Sequence, residues 1–251
     1  MSSGRSRIKG GSPSIDYPSI HAFFERRGQG QYRSTLSATM YQDNEPDLVE
    51  QRDRAEKLAV AGDLALPGVR RVLDIGCGVG RWGWFLAAEN QEIVYEGIDF
   101  SSTLIDMARR EADSRGFPQL SFQTMAATRI DPSALAPAYD LVLIAGLLMY
   151  LNDTDCLKVL VDAGQLTAAG GRVYVREPVG VGERFTLNRF YSEELAHEYS
   201  AIYRSTQELE QLVDNALLGQ GFRRLKGAYL FPEHLEKRVE TRQYYIVLEK
   251  D

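Results

Sequence analysis

The chain has 251 residues, a net charge of −6, 44% hydrophobic and 25% charged residues, the profile of an ordinary globular protein with apolar content for a sizeable core. The acidic balance argues against a nucleic-acid partner, which needs a basic stripe or patch, and no apolar run approaches the ~20 residues of a bilayer span. Two cysteines, Cys77 and Cys156, lack Cys-x-x-Cys spacing and make neither a disulfide framework nor a zinc site; a reducing cytoplasm is the expected compartment.

In chain order, "MSSGRSRIKGGSPS" is basic and Gly/Ser-rich without the apolar stretch of a secretion signal, which predicts a flexible tail over 1–14. An aromatic and basic stretch and a helix, "DLVEQRDRAEKLAVAGDLAL", stopped by Pro67–Gly68, form an N-terminal helical cap over 15–68. A regular alternation follows over 69–251. "RRVLDIG" is a buried strand, "RWGWFLAAEN" a helix, "EIVYEGID" a strand, and "SSTLIDMARREADSRG" a helix with Leu104, Ile105, Ala108 and Ala112 on one stripe. "QLSFQTMA" and "YDLVLIAG" are strands, and "NDTDCLKVLVDAGQLTAAGG" is a helix capped by Asn152 and stopped at Gly170–Gly171. "RVYVREP" is a fifth strand. After an irregular stretch, "STQELEQLVDNALLGQGF" is a helix opened by a Ser205/Glu208 capping box. "FRRLKGAYLF" and "RQYYIVLEK" close the chain with no helix between them, so they form an antiparallel hairpin at the sheet edge. The alternation predicts an α/β fold with a parallel sheet covered by helices on both faces.

The loop "VLDIGCGVGRW", Val72 to Trp82, carries the chemistry. A phosphate-cradling loop needs GxxxxGK followed by Ser or Thr, and neither the spacing nor the lysine is present. A dinucleotide fingerprint needs GxGxxG, but its third position falls on the bulky Arg81, and Asp74 stands where a pyrophosphate would lie. A carboxylate at the end of the first strand suits a cationic ligand, and Gly76, Gly78 and Gly80 let it lie against bare backbone. The second strand ends in Asp99, within "GIDFS", where a carboxylate accepts from both ribose hydroxyls. Together these features call for a nucleoside with a positive group and no phosphate.

"VLDIGCGVGRW" followed by "YEGIDFS" resembles the class I S-adenosylmethionine-dependent methyltransferases of the small-molecule type, over roughly Arg70 to Asp251. The resemblance implies a Rossmann-like, seven-stranded, mostly parallel sheet with an antiparallel C-terminal hairpin, and S-adenosylmethionine as cofactor. It implies that Asp74, Gly76, Cys77, Gly78 and Trp82 surround the methionine part, and that Asp99 holds the ribose with Phe100 and Ser101 beside it. Met125 and Ala126 would border the adenine, where many relatives carry an acidic residue, and Ala145 and Gly146 would pass near the sulfonium. Arg33 and Tyr41, in "GQYRSTLSATMYQDN", are expected to close over the donor.

The segment "REPVGVGERFTLNRFYSEELAHEYSAIYRS" is dense in arginine and tyrosine and leaves the strand edge where ligands bind in open α/β sheets. We read it as a substrate lid, inserted around 178–206, whose guanidinium forks bind an oxyanion. Arg176, Tyr191, Tyr203 and Arg204 are candidate catalytic residues, together with His197, placed in a lid helix as the one candidate base; His21 and His234 read as surface residues. Asp153 and Asp155 read as a dipole-stabilised helix start, with no metal site. An arginine-rich, histidine-poor site points to O-methylation of a small anionic metabolite (carboxylate, phosphate or phosphonate) in bacterial specialised metabolism, since an ionised oxygen needs no base. The alternatives are an N-methyltransferase of a small amine or amino acid and a non-catalytic module that binds the donor.

Overall fold

Runs of branched apolar residues form the centre of the molecule, because strands of a parallel sheet are buried on both faces. In the computed structural model, which describes residues 6–40, 45–136, 138–193, 197–236 and 238–251, the chain opens with β1 (Ser6–Lys9), α1 (Tyr17–Gln29), α2 (Ser37–Met40) and α3 (Pro46–Val60). It continues through β2 (Arg71–Ile75), α4 (Arg81–Glu89), β3 (Val94–Asp99), α5 (Ser102–Arg115), β4 (Leu120–Thr124) and β5 (Tyr139–Ala145). The remainder is α6 (Asp153–Leu166), β6 (Thr167–Gly180), β7 (Phe185–Ser192), β8 (His197–Tyr203), α7 (Thr206–Leu217), β9 (Phe222–Tyr229) and β10 (Thr241–Lys250).

Seven strands make the main sheet in the order β4-β3-β2-β5-β6-β10-β9. Strands β2 to β6 pair parallel, and β10 is antiparallel to both β6 and β9. The fold class expected from the alternation is therefore the one observed, including the closing hairpin. The order reverses between β2 and β5, and that reversal opens a crevice at the carboxyl ends of the strands. Along β2, Val72 packs into one core with Trp82, Leu104 and Phe24, while Leu73 and Ile75 pack into the other with Val159, Leu160 and Val213. Each such fully buried side chain contributes roughly 1.5–3 kcal/mol. The Ser205/Glu208 capping box is formed, with the Glu208 amide donating to Ser205 Oγ and the Ser205 amide to Glu208 Oε2. No described helix is long and apolar enough to cross a membrane.

Four local expectations are corrected. Helix α6 ends at Leu166, before Gly170–Gly171, because Thr167 turns extended and its hydroxyl donates back to the Ala163 carbonyl at 2.8 Å. Helix α3 ends at Val60, well before Pro67, and Ala65 takes a left-handed φ of 50° in the turn that follows. The expected tail is structured in part: Ser6–Lys9 pairs antiparallel with β7. The lid is strand, without the expected helix around His197. Strands β7 and β8 pair with each other and, through β1, form a separate three-stranded sheet, anchored by Phe185 stacked on its cross-strand partner Tyr203. Alternating aromatic and branched residues in "FTLNRFYS" and "HEYSAIY" suit a pleated surface, which is why the segment around His197 is strand.

Arg204, at the end of this second sheet, is consumed by the fold. Its Nε and Nη2 reach Asp153 Oδ1 at 2.8 and 2.6 Å, and Nη1 and Nη2 donate to the Leu148 and Leu151 carbonyls. Arg184 holds the other oxygen of Asp153 at 2.9 Å. Asp153 and Asp155 thus do more than meet the dipole of α6: Asp155 also accepts from the Tyr17 hydroxyl of α1. Asn152 sits at the cap position, but its side chain accepts from the Ile15 amide instead of capping the helix. Removing one partner of a buried pair strands the other, so Arg204→Ala is expected to lose about 3 kcal/mol in chemical denaturation. An unchanged denaturation midpoint in that variant refutes the assignment of Arg204 to the fold.

Candidate functional site

The glycine loop between β2 and α4 has the backbone that its sequence requires. Gly76, Gly78 and Gly80 have φ of 77°, 56° and 82°, the left-handed region that side chains rarely adopt. A Cβ on Gly78 would meet Thr39 Cγ2 of α2 at 2.7 Å, so the cap rests directly on the loop. The Gly76 and Cys77 amides donate to the Ile98 carbonyl at 2.8 and 3.0 Å, which ties the loop to β3. The Asp99 carboxylate completes that tie, accepting from the Gly78 amide at 3.0 Å and from the Ser101 amide at 2.9 Å.

A cavity of about 640 Å³ lies at the carboxyl ends of the strands. Of the residues expected around the donor, Gly76, Cys77, Gly78, Asp99, Phe100, Met125, Ala126, Ala145 and Gly146 line it. Asp74, Trp82, Ser101 and Arg33 do not. Asp74 is buried beneath the loop and accepts from the Tyr95 hydroxyl at 2.7 Å. Trp82 packs edge-on against Tyr174, Ser101 caps α5 through Leu104, and Arg33 is exposed beside Asp47. Tyr41 lies outside the described residues. Of the candidate catalytic residues, Arg176 and Tyr203 line the cavity. Arg204 is held by Asp153, Tyr191 is 56% exposed, and His197 faces Phe23 and the Glu198 carbonyl.

Several cavity residues escape a reading of the sequence. Tyr17, Ile20, His21 and Phe24 of α1 form one wall; His21 is exposed, as expected, but also borders the cavity, its ring 5.3 Å from that of Phe100. Their i, i+3, i+4, i+7 spacing was the available signal. Arg52 and Glu56 of α3 line the cavity with Arg81, Phe231, Glu236, Arg238 and Gln243. No periodicity marks these, because buried charge on a helix reads like a solvated face.

The electrostatics divide the cavity. Burial pushes the Asp74 and Asp99 carboxyls up to about 6, against the hydrogen bonds from Tyr95 and from the Ser101 and Gly78 amides. Burial also acts to raise Glu56, but the guanidiniums of Arg176 and Arg81 override it and hold that carboxyl well below the usual range. Glu56 Oε2 lies 2.7 Å from Arg81 Nη1, and Oε1 lies 3.1 Å from Arg176 Nε and 2.9 Å from the Tyr174 hydroxyl. Glu177 accepts the Leu147, Leu148 and Met149 amides within 3.1 Å and so fixes the turn after β5. Among the described residues no group of three His, Cys, Asp or Glu is placed to hold a metal.

Residues 72–171 match the family model described as "Methyltransferase domain". The chain is 37% identical over 112 residues to the aklanonic acid methyltransferase of a Streptomyces strain, covering 43% of this chain and 48% of that protein. It is 27% identical over 143 residues to phosphoethanolamine N-methyltransferase 1 of Triticum aestivum, covering 57% of this chain and 27% of that one. The chain thus spans about half or less of the length of these curated relatives. Magnesium protoporphyrin IX methyltransferase of Synechocystis, solved with S-adenosylhomocysteine (SAH), superposes with a TM-score of 0.64 at 16% identity, over 93% of this chain and 99% of that one. At that identity the likeness is one of fold. Residues 72–171 thus resemble a methyltransferase domain, and they lie in a Rossmann-like fold shared with the Synechocystis enzyme.

The donor end fits S-adenosylmethionine on its own chemistry. Three left-handed glycines leave bare backbone, Asp99 ends β3, and Arg81 Nη2 is a buried donor with no hydrogen-bond partner. If Asp99 receives the ribose hydroxyls, both of its oxygens accept only in the ionised form; its ordinary value of 3.8 is raised, so it takes up a proton as pH falls through about 6. SAH affinity measured by calorimetry is expected to hold from pH 8 to 7 and to be roughly tenfold weaker at pH 5. Asp74 titrates in the same range, so Asp99→Asn, expected to bind weakly with a flattened profile, assigns the proton. A level wild-type profile down to pH 5 refutes the role of ionised Asp99.

Proposed function

We propose that the protein is an S-adenosylmethionine-dependent methyltransferase that methylates an oxygen of a small anionic acceptor. The observation that carries this reading is one continuous cavity with two unlike ends. Asp99 and the glycine loop line one part of it and Arg52, Arg176, Arg238 and Glu236 another, with Glu56 between them, bonded to Arg81 beside Gly80 and to Arg176. When bound, S-adenosylmethionine supplies a methyl group already activated on a positively charged sulfur. This chain's residues have then to align the acceptor and exclude water, and good alignment alone is worth roughly 7–11 kcal/mol.

Neither Tyr203 nor Glu56, among the described residues of the acceptor end, suits a base at neutral pH. Burial drives the Tyr203 hydroxyl well above its ordinary value, and Tyr199 lies 3.3 Å away, with Arg238 donating to both. Glu56 is locked between guanidiniums. An acceptor already ionised at oxygen requires no proton removal. The aklanonic acid methyltransferase takes an acid by its name, which supports the same class.

The segment 178–206 is, in this reading, an acceptor-side wall contributed through Tyr199 and Tyr203, and 15–68 is the cap over the donor. Arg176 is the anion-facing residue kept from the sequence; Arg204 and Tyr191 are not. The phosphoethanolamine N-methyltransferase match favours a second reading, an amine acceptor, for which Glu236 is the facing carboxylate. Methyl transfer to a panel of small acids and amines, followed by mass spectrometry, decides between them. Acid turnover with a rate constant across pH 7 to 9 is expected; turnover confined to amines and climbing with pH overturns the anionic assignment. SAH binding without transfer to any acceptor identifies a binding module.

A further inference from the structure

Five arginines line the cavity; Arg129 is exposed to solvent, and of the four that are buried or half-buried three are engaged. Arg81 pairs with Asp53 and Glu56, Arg176 bonds Glu56 and Gln243, and Arg238 donates to Tyr199 and Tyr203. Arg52 differs. It is 7% exposed, its guanidinium lies 4.9 Å from the centre of the Phe231 ring, and no described residue accepts a hydrogen bond from it. Its Nε is fully buried without a partner. Glu236, the neighbouring carboxylate, is occupied elsewhere: it accepts the Gln243 amide at 3.0 and 3.3 Å and approaches Arg242 at 3.9 Å.

A desolvated guanidinium with unmet donors is costly unless an anion completes it. Burial pulls the Arg52 pKa down from its ordinary value, and the negative field of Glu236 only partly restores it. The guanidinium lies over the Phe231 ring, and its planar fork offers paired N–H donors. That geometry matches a carboxylate, which is planar and accepts both prongs.

We propose that Arg52, seated on Phe231, is the carboxylate receptor of the acceptor pocket, and that the acceptor carries a carboxylate. This rests on the reading that the same cavity holds a methyl donor at its glycine-loop end. It assigns acceptor recognition to the cap helix α3, in addition to the segment after β6.

The test uses the full chain saturated with SAH, titrated by calorimetry with benzoate and 2-naphthoate and with their neutral carboxamides. The wild type is expected to bind the better carboxylate at least about tenfold tighter than its amide. Arg52→Met, which keeps much of the stem volume, is expected to bind acid and amide within about twofold of each other, with SAH affinity unchanged within about twofold. Arg52→Lys keeps the charge without the fork and is expected to retain about threefold preference. A wild type without carboxylate preference overturns the proposal, as does an Arg52→Met or Arg52→Lys variant with the full preference. Failure of the wild type to take up SAH sinks the methyltransferase reading itself, and so is distinguishable from failure of the Arg52 site.

Discussion

Three elements that border the cavity are tied together by one buried carboxylate. Glu56, 1% exposed, stands between Arg81 at the start of α4 and Arg176 near the end of β6, with the Tyr174 hydroxyl as a third partner. A charge taken out of water is tolerated only if its partners are held at hydrogen-bond distance. The cap helix, the glycine-loop helix and the central sheet are therefore fixed to one another by the same oxygen pair. Asp53 extends the clamp to Arg81 at 2.9 Å and to Lys57 at 2.5 Å, and Lys57 donates to the Arg81 carbonyl. Such a network contributes less to net stability than to a unique arrangement, since well-packed apolar residues of similar volume could replace it.

Around this clamp, buried carboxylates shape the backbone at the strand ends. Asp99 takes the amides of Gly78 and Ser101, and Glu177 takes three successive amides after β5. Loops built this way stay rigid where ligands meet them, because each bond is charge-assisted and shielded from water. Preorganisation of that kind is what a transfer reaction with an activated donor requires.

The parts legible in the sequence are those written locally. Strand and helix periods, the Ser205/Glu208 box and the glycine loop depend on neighbours a few residues away. The second sheet was not legible, because β1 pairs with a strand some 180 residues later and no local signal announces such a partner. The same holds for α3: "RDRAEK" has the composition of a solvated helix face, yet Arg52, Glu56 and Lys57 are all buried. Arg204 and Arg176 looked alike in sequence, but the carbonyls of Leu148 and Leu151 await the first, whereas Gly146 leaves room at the cavity edge for the second. His21 is exposed as read, and only its place at the cavity rim was not legible, since the α1 stripe looks the same whether it faces a core or a cavity.

Two opposite fields within one enclosed space have a chemical consequence. In the proposed reading Asp99 at the loop end receives the donor, and the guanidiniums of Arg52, Arg176 and Arg238 favour an anionic acceptor. Opposite charges that cancel as they react are helped by a poorly solvated surrounding, because the products need less solvation than the reactants. Where the carboxylate held by Arg52 is itself the group methylated, the product is a neutral ester and no longer matches the guanidinium. Arg52 would then grip the substrate and release the product by the same electrostatics, and an unpartnered buried arginine becomes a reason for turnover instead of a defect in the fold.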